Sequence, residues 1–122
     1  MHTHVSTTFD QHLAVMTAES PCALVLDWWR RLDRSLVEYA DALRAPRPAH
    51  GRQRFERLLD CDPLLGRGVG SRVRELREFR NQVAHHDRLH ISDVQAQVYA
   101  RACFSLIGVI GWRLPRTEWG AA

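Results

Sequence analysis

Apolar positions along this chain recur at steps of three and four residues, the spacing of one helical face, and nowhere alternate as in a half-buried strand. Phe9, Leu13 and Met16 form a first, narrow stripe, and Thr8-x-x-Gln11 has the form of a capping box, so a first helix is expected from near Thr8. Ser20-Pro21 is a second start signal, because Ser caps well and Pro is tolerated in the first turn. Beyond it Val25, Trp29, Leu32, Leu36, Tyr39 and Leu43 predict a long helix packed along its length. Trp28 beside Trp29 widens that stripe, either by enlarging the core or by serving a contact with a partner subunit.

Ala45-Pro46-Arg47-Pro48-Ala49-His50 cannot continue a helix and predicts a connection. A short helix follows over about 52–60, with Phe55, Leu58 and Leu59 inward and Asp62-Pro63 at its end. The string Gly66-Arg67-Gly68-Val69-Gly70 reads as a helix-to-helix connection. A phosphate loop needs a preceding strand and a Gly-Lys-Ser/Thr ending, and neither is present. Val69, Val73, Leu76, Phe79 or Arg80, and Val83 then predict a helix over about 71–85. Ser92-x-x-Gln95 caps a last helix whose inward stripe is expected to be Val94, Val98, Ala102, Leu106 and Val109, with Pro115 as its stop. The tail from 115 has no periodicity, although Trp119 could dock. The expectation is a single all-α domain over 1–122, an up-and-down bundle of four to five helices with short loops.

Composition changes this picture little. A chain of 122 residues supports one core, and a net charge of +3 with a pI near 9.1 suits a nucleic-acid partner without requiring one. Every basic residue is Arg, for which biased codon usage is the bland explanation. Cys22, Cys61 and Cys103 are too scattered for a disulfide framework or a metal site and read as buried or half-buried thiols in a reducing cytoplasm. The N-terminal residues form neither a basic leader nor an apolar run, which points to a cytoplasmic protein. The most apolar stretch, 102–112, is too short to span a bilayer and reads as core, so no membrane partner is expected.

Candidate chemistry concentrates in 72–90, where Arg80, Asn81, His85 and His86 fall at the polar end of the fourth helix with Asp87 just after. A guanidinium holds a phosphate through paired hydrogen bonds at any working pH, and an imidazole exchanges protons near neutrality. An Arg followed five positions later by a His is expected about once by chance in a chain with this many of each, so the pair alone decides nothing. The longer string Arg80-Asn81-x-x-Ala84-His85-His86 is more specific. On a continuous helix Arg80 and His85 lie roughly 140° apart in azimuth and about 7.5 Å along the axis. Either the helix ends or bends between them, or a second copy of the chain completes the site.

That string resembles the signature of the HEPN superfamily, small helical domains common among bacterial toxins and abortive-infection proteins. Arg80, Asn81 and His85 match the motif positions, and Ala84-His85-His86 resembles the Abi-like branch. The close likeness covers about 72–90. It implies a homodimer whose two motifs meet in one ribonuclease site, an RNA substrate, no cofactor or metal, and a cognate antitoxin as a further partner. In such a site His85 is the acid/base group, Arg80 binds the scissile phosphate, and Asn81 orients the histidine or a phosphate oxygen, with His86 and Asp87 as auxiliaries. A related branch carries a tyrosine two residues after the motif histidine, where its antitoxin modifies it. Asp87 occupies that position here, so that mode of inactivation does not carry over.

Each residue has a plainer alternative. Arg80 has Glu75, Glu78 and Asp87 as ion-pair candidates, His85 suits the negative end of a helix dipole, and Asn81 suits a surface amide. His86 and His90 would bind a metal only if one helix ran through both. For the whole chain, the alternatives are a catalytically silent HEPN-like module that binds RNA or protein, and a purely structural helical dimerisation module.

Overall fold

The computed structural model describes residues 2–43, 54–86 and 89–114, with side chains from 8 in the first segment and from 56 in the second. Five helices pack together, and no strand occurs among the described residues: α1 (His2–Glu19), α2 (Pro21–Ala42), α3 (Arg54–Asp60), α4 (Val69–His85) and α5 (Asp93–Arg113). The expected connection through Pro46 and Pro48, the inward placement of Phe55, and the tail from 115 with Trp119 lie outside the described residues.

The second helix starts where its local chemistry dictates. Ser20 is extended, its hydroxyl accepts from the Ala23 N–H at 3.2 Å, and Pro21 occupies the first turn. The last helix carries the complete capping box, with the Gln95 N–H donating to the Ser92 hydroxyl at 3.0 Å and the Ser92 N–H to the Gln95 side chain at 2.8 Å. The first helix begins at His2, six residues before the expected Thr8, since no Gly or Pro lies upstream to break it. Gly68 marks the start of α4 with φ of 85°, a left-handed conformation that favours glycine.

The core lies mainly between α2 and α5. Leu24, Val25, Leu32, Leu36 and Tyr39 from α2 meet Ala96, Ala100, Cys103, Leu106 and Ile110 from α5, with Leu13 of α1 and Val73 of α4 closing the sides. Trp28, not Trp29, is the deeply buried member of the indole pair. It stands edge-on to Phe9 and Phe104 at 5.4 and 5.9 Å and donates its N–H to His12 Nε2 at 3.2 Å. These partners sit on α1 and α5, so neighbouring helices decide which indole turns inward.

The expected inward stripe of α5 is overturned more fully. Val94 and Val98 are 68% and 61% exposed, Val109 is also exposed, and only Leu106 of that stripe is fully buried. The core face is the neighbouring one. Because α5 is 21 residues long, the argument that its apolar stretch is too short to cross a membrane also fails, and its length and composition meet that threshold.

A polar network ties three segments together at the far end of the core. The Tyr39 hydroxyl donates to Asp62 Oδ2 at 2.5 Å, Arg113 Nε donates to the same oxygen at 2.7 Å, and the Leu64 N–H donates to Oδ1 at 3.0 Å. Burial alone would raise the Asp62 carboxyl, but the Tyr39 bond, the Leu64 N–H and the Arg113 charge outweigh it and hold it below its ordinary value.

Candidate functional site

α4 brings the motif residues to the surface by anchoring its opposite end. Val69 and Val73 are buried, and Gly70 packs so closely on α3 that a Cβ there would meet the Glu56 backbone oxygen at 2.7 Å. One turn further, Arg77 pairs with the buried Glu56 carboxylate. Leu76, Phe79 and Val83 are half-buried against the core. Burial therefore thins along the helix toward its C-terminus.

The helix is unbroken from Val69 through Arg80 to His85, so no end or bend lies between the two principal residues. Their helical azimuths remain roughly 140° apart. Arg80 is half-buried, and its Nη1 donates to the Asn81 side-chain oxygen at 3.0 Å. Among the described residues it has no carboxylate partner; Glu75 and Glu78 leave it unpaired, and Asp87 lies outside the described residues. Asn81 stands one turn before His85, which puts their Cβ atoms about 5–6 Å apart. Its oxygen is already engaged by Arg80, so it positions the guanidinium rather than accepting from the histidine.

His85 occupies the last turn, and its side chain is exposed with no partner among the described residues. His86 is the extended C-cap, its N–H donating to Gln82 and its carbonyl accepting from the Leu89 N–H at 3.0 Å. The chain leaves the helix there, so His86 and His90 do not share a helical face. The structure thus brings Arg80 and Asn81 together and leaves His85 and His86 on a separate, open flank.

A feature absent from the expected site lies directly beside Arg80. Leu76 and Phe79 of α4 and Val94, Val98, Tyr99 and Ala102 of α5 line an open, largely apolar groove of about 320 Å³, to which Glu75 and Gln95 also contribute. The Tyr99 hydroxyl donates to the Leu76 carbonyl at 2.8 Å, and its ring lies 5.5 Å from Phe79. Burial and the neighbouring Cys103 thiol hold the Tyr99 hydroxyl protonated well above its ordinary range, with the nearby Arg80 charge opposing. Burial likewise pushes the Cys103 thiol up to about 12, so it is no nucleophile near neutrality. The signal for this groove was present in the chain: α5 is apolar on both sides, more than one core-facing stripe requires. Cys61, expected to be at least half-buried, is exposed.

Compared with family models, with curated proteins and with solved structures, the chain matches none.

Proposed function

We propose that this protein is a dimeric, metal-independent endoribonuclease of the HEPN-like, Abi-like kind, acting in the cytoplasm as a toxin or phage-defence factor. The observation that carries the reading is the state of Arg80 and His85. One is a guanidinium positioned by Asn81 with no carboxylate partner among the described residues, and the other is an exposed imidazole five residues further along the same helix. A solvated ion pair, the plainer role for Arg80, has no support among the described residues.

The chemistry needs only these groups. RNA supplies its own nucleophile. One imidazole removes the 2′-hydroxyl proton, the oxygen attacks the adjacent phosphorus, and charge builds on the non-bridging oxygens of a phosphorane-like transition state, where Arg80 binds. The imidazolium so formed returns its proton to the departing 5′-oxygen. The products are a 2′,3′-cyclic phosphate and a 5′-hydroxyl. A two-fold dimer supplies two of each group, which resolves the azimuthal separation of Arg80 and His85 in one chain. His86 and Asp87 are auxiliaries at the helix exit, and a cognate antitoxin would act on this surface by a route other than tyrosine modification.

The test is incubation of purified protein with mixed cellular RNA in EDTA, comparing wild type with Arg80→Ala and His85→Ala. Cyclic-phosphate ends from wild type alone are expected. Intact RNA with all three folded proteins would overturn the enzyme and leave a catalytically silent module that binds RNA or protein, a reading the open α4–α5 groove favours.

A further inference from the structure

The α4–α5 groove is lined mainly by apolar side chains, yet its two polar residues both have unused hydrogen-bonding capacity. Glu75, on the α4 wall, is exposed and has no ion-pair or hydrogen-bond partner among the described residues. Gln95, on the α5 wall, commits its side-chain oxygen to the Ser92 N–H at 2.8 Å, which leaves its amide group free only to donate. Phe79 is half-buried with its ring 5.5 Å from that of Tyr99, and the bond from the Tyr99 hydroxyl to the Leu76 carbonyl holds the second ring in place. Arg80 follows Phe79, has no carboxylate partner among the described residues, and lies near enough to Tyr99 for its charge to act on that hydroxyl. An aliphatic occupant would fill the apolar part of the groove and leave the carboxylate covered and unpaired. A planar group with a π-face and a hydrogen-bonding edge suits the whole lining, and one that carries a phosphate also suits Arg80. Those are the properties of a nucleotide.

We infer that this groove is the base subsite of the ribonuclease and takes guanine, from the nucleotide whose 2′-hydroxyl attacks. The inference rests on the ribonuclease reading and adds a sequence preference to it. A carboxylate offers two acceptor oxygens and no donor, so Glu75 pairs best with an edge that presents two adjacent donors. Guanine N1–H and its N2 amino group are such a pair, and O6 beside them accepts from the Gln95 amide. Adenine and cytosine present one amino group next to a ring-nitrogen acceptor, and uracil presents one N–H between two carbonyls. Each of these sets a lone pair against a Glu75 oxygen. Phe79 offers a stacking face to any unpaired base and therefore supplies affinity without choice. The groove, at about 320 Å³, lies within the size range of small-ligand sites. Connectivity selects the nucleotide: the scissile phosphate is joined directly to the ribose ring on its 5′ side through O3′, whereas the next ribose is reached through an additional methylene. A base in the groove and a phosphate on Arg80 are thus linked most closely in the nucleotide that supplies the nucleophile.

Calorimetric titration of the full chain with nucleoside monophosphates tests the subsite apart from catalysis. Guanosine 3′-monophosphate is expected to bind at least about 20-fold more tightly than its adenosine, cytidine and uridine counterparts, the scale of a hydrogen bond to a charged group, and Glu75→Gln is expected to remove that preference. Glu78→Gln, which removes an exposed carboxylate that lines no part of the groove, should keep it. In EDTA, wild type should cleave RNA of mixed sequence after guanosine, leaving guanosine 2′,3′-cyclic phosphate ends, and Glu75→Gln should cleave without that preference. Equal binding of the four nucleotides, or a guanine preference that survives Glu75→Gln, would overturn the inference. So would tighter binding of guanosine 5′-monophosphate than of the 3′-monophosphate, because the groove would then serve a free nucleotide. Cleavage with no base preference refutes the subsite and keeps the nuclease. Selective binding of guanosine 3′-monophosphate, lost with Glu75→Gln, by a protein that leaves RNA intact keeps the guanine site and refutes the nuclease.

Discussion

In its first two turns α4 is clamped by Val69, Gly70 and Val73 and then by the Arg77–Glu56 pair, whereas in its last two turns Arg80 and Asn81 are half-buried and His85 and His86 are exposed. One helix therefore carries a structural end and an open end. The difference is physical: at the first end buried apolar contacts and the Arg77–Glu56 pair fix the helix, while at the second a half-buried guanidinium held by Asn81 and an exposed imidazole face the surface. Substitutions at the two ends should separate loss of fold from loss of chemistry.

The largest separation is expected at the open end. His85→Ala and Arg80→Ala should each lower RNA cleavage at least about 100-fold, the usual scale for a proton-transfer or charge-stabilising group. Their unfolding free energies in urea should match wild type to within about 0.5 kcal/mol, and a larger shift would break the contrast. At the clamped end Glu56→Ala removes the buried carboxylate with which Arg77 pairs. It should cost about 2–3 kcal/mol, less than a fully buried pair because Arg77 keeps some water, with cleavage by the folded fraction preserved. Gly70→Ala comes next. Its Cβ would meet the Asp60 carboxylate and the Glu56 carbonyl and must push α3 away from α4, which outweighs the better helix propensity and should lower stability by about 1–2 kcal/mol in the same urea assay.

The smallest effect concerns acid. The native Asp62 carboxyl lies below its ordinary value of 3.8, so the stability it contributes is fully present above that pH and is lost as pH falls below it. Between pH 6 and pH 3, wild type should lose more stability than Asp62→Asn, although the variant starts weaker. Equal losses would show that the Tyr39–Asp62–Arg113 network does not couple to folding.

What was legible in the chain was local. Ser20-Pro21 and Ser92-x-x-Gln95 set helix starts within four residues, so no distant contact was needed to read them. The inward side of Trp28 was not legible, because Phe9, His12 and Phe104 decide it from other helices. Tyr39 read as one more apolar-stripe residue, since its partner Asp62 stands 23 positions away and is itself bonded by Arg113, 51 positions further on. On α5 two apolar faces competed, and periodicity alone chose the outer one. For the candidate site, residue identities and the azimuth between Arg80 and His85 followed from sequence and helix geometry. That Asn81 is committed to Arg80, and that a groove opens beside them, depended on side-chain packing.

The central claim is that Arg80 and His85 act across two chains, and subunit mixing tests it most directly. Arg80→Ala protein keeps His85, and His85→Ala protein keeps Arg80, so an exchanged heterodimer holds one intact pair only if the site draws on both chains. The account predicts that each variant alone is inactive and that the mixture regains a measurable fraction of wild-type cleavage in EDTA, with cyclic-phosphate ends. A mixture as inactive as its parts, with heterodimer formation demonstrated and wild type cleaving, would place the pair within one chain and contradict the account.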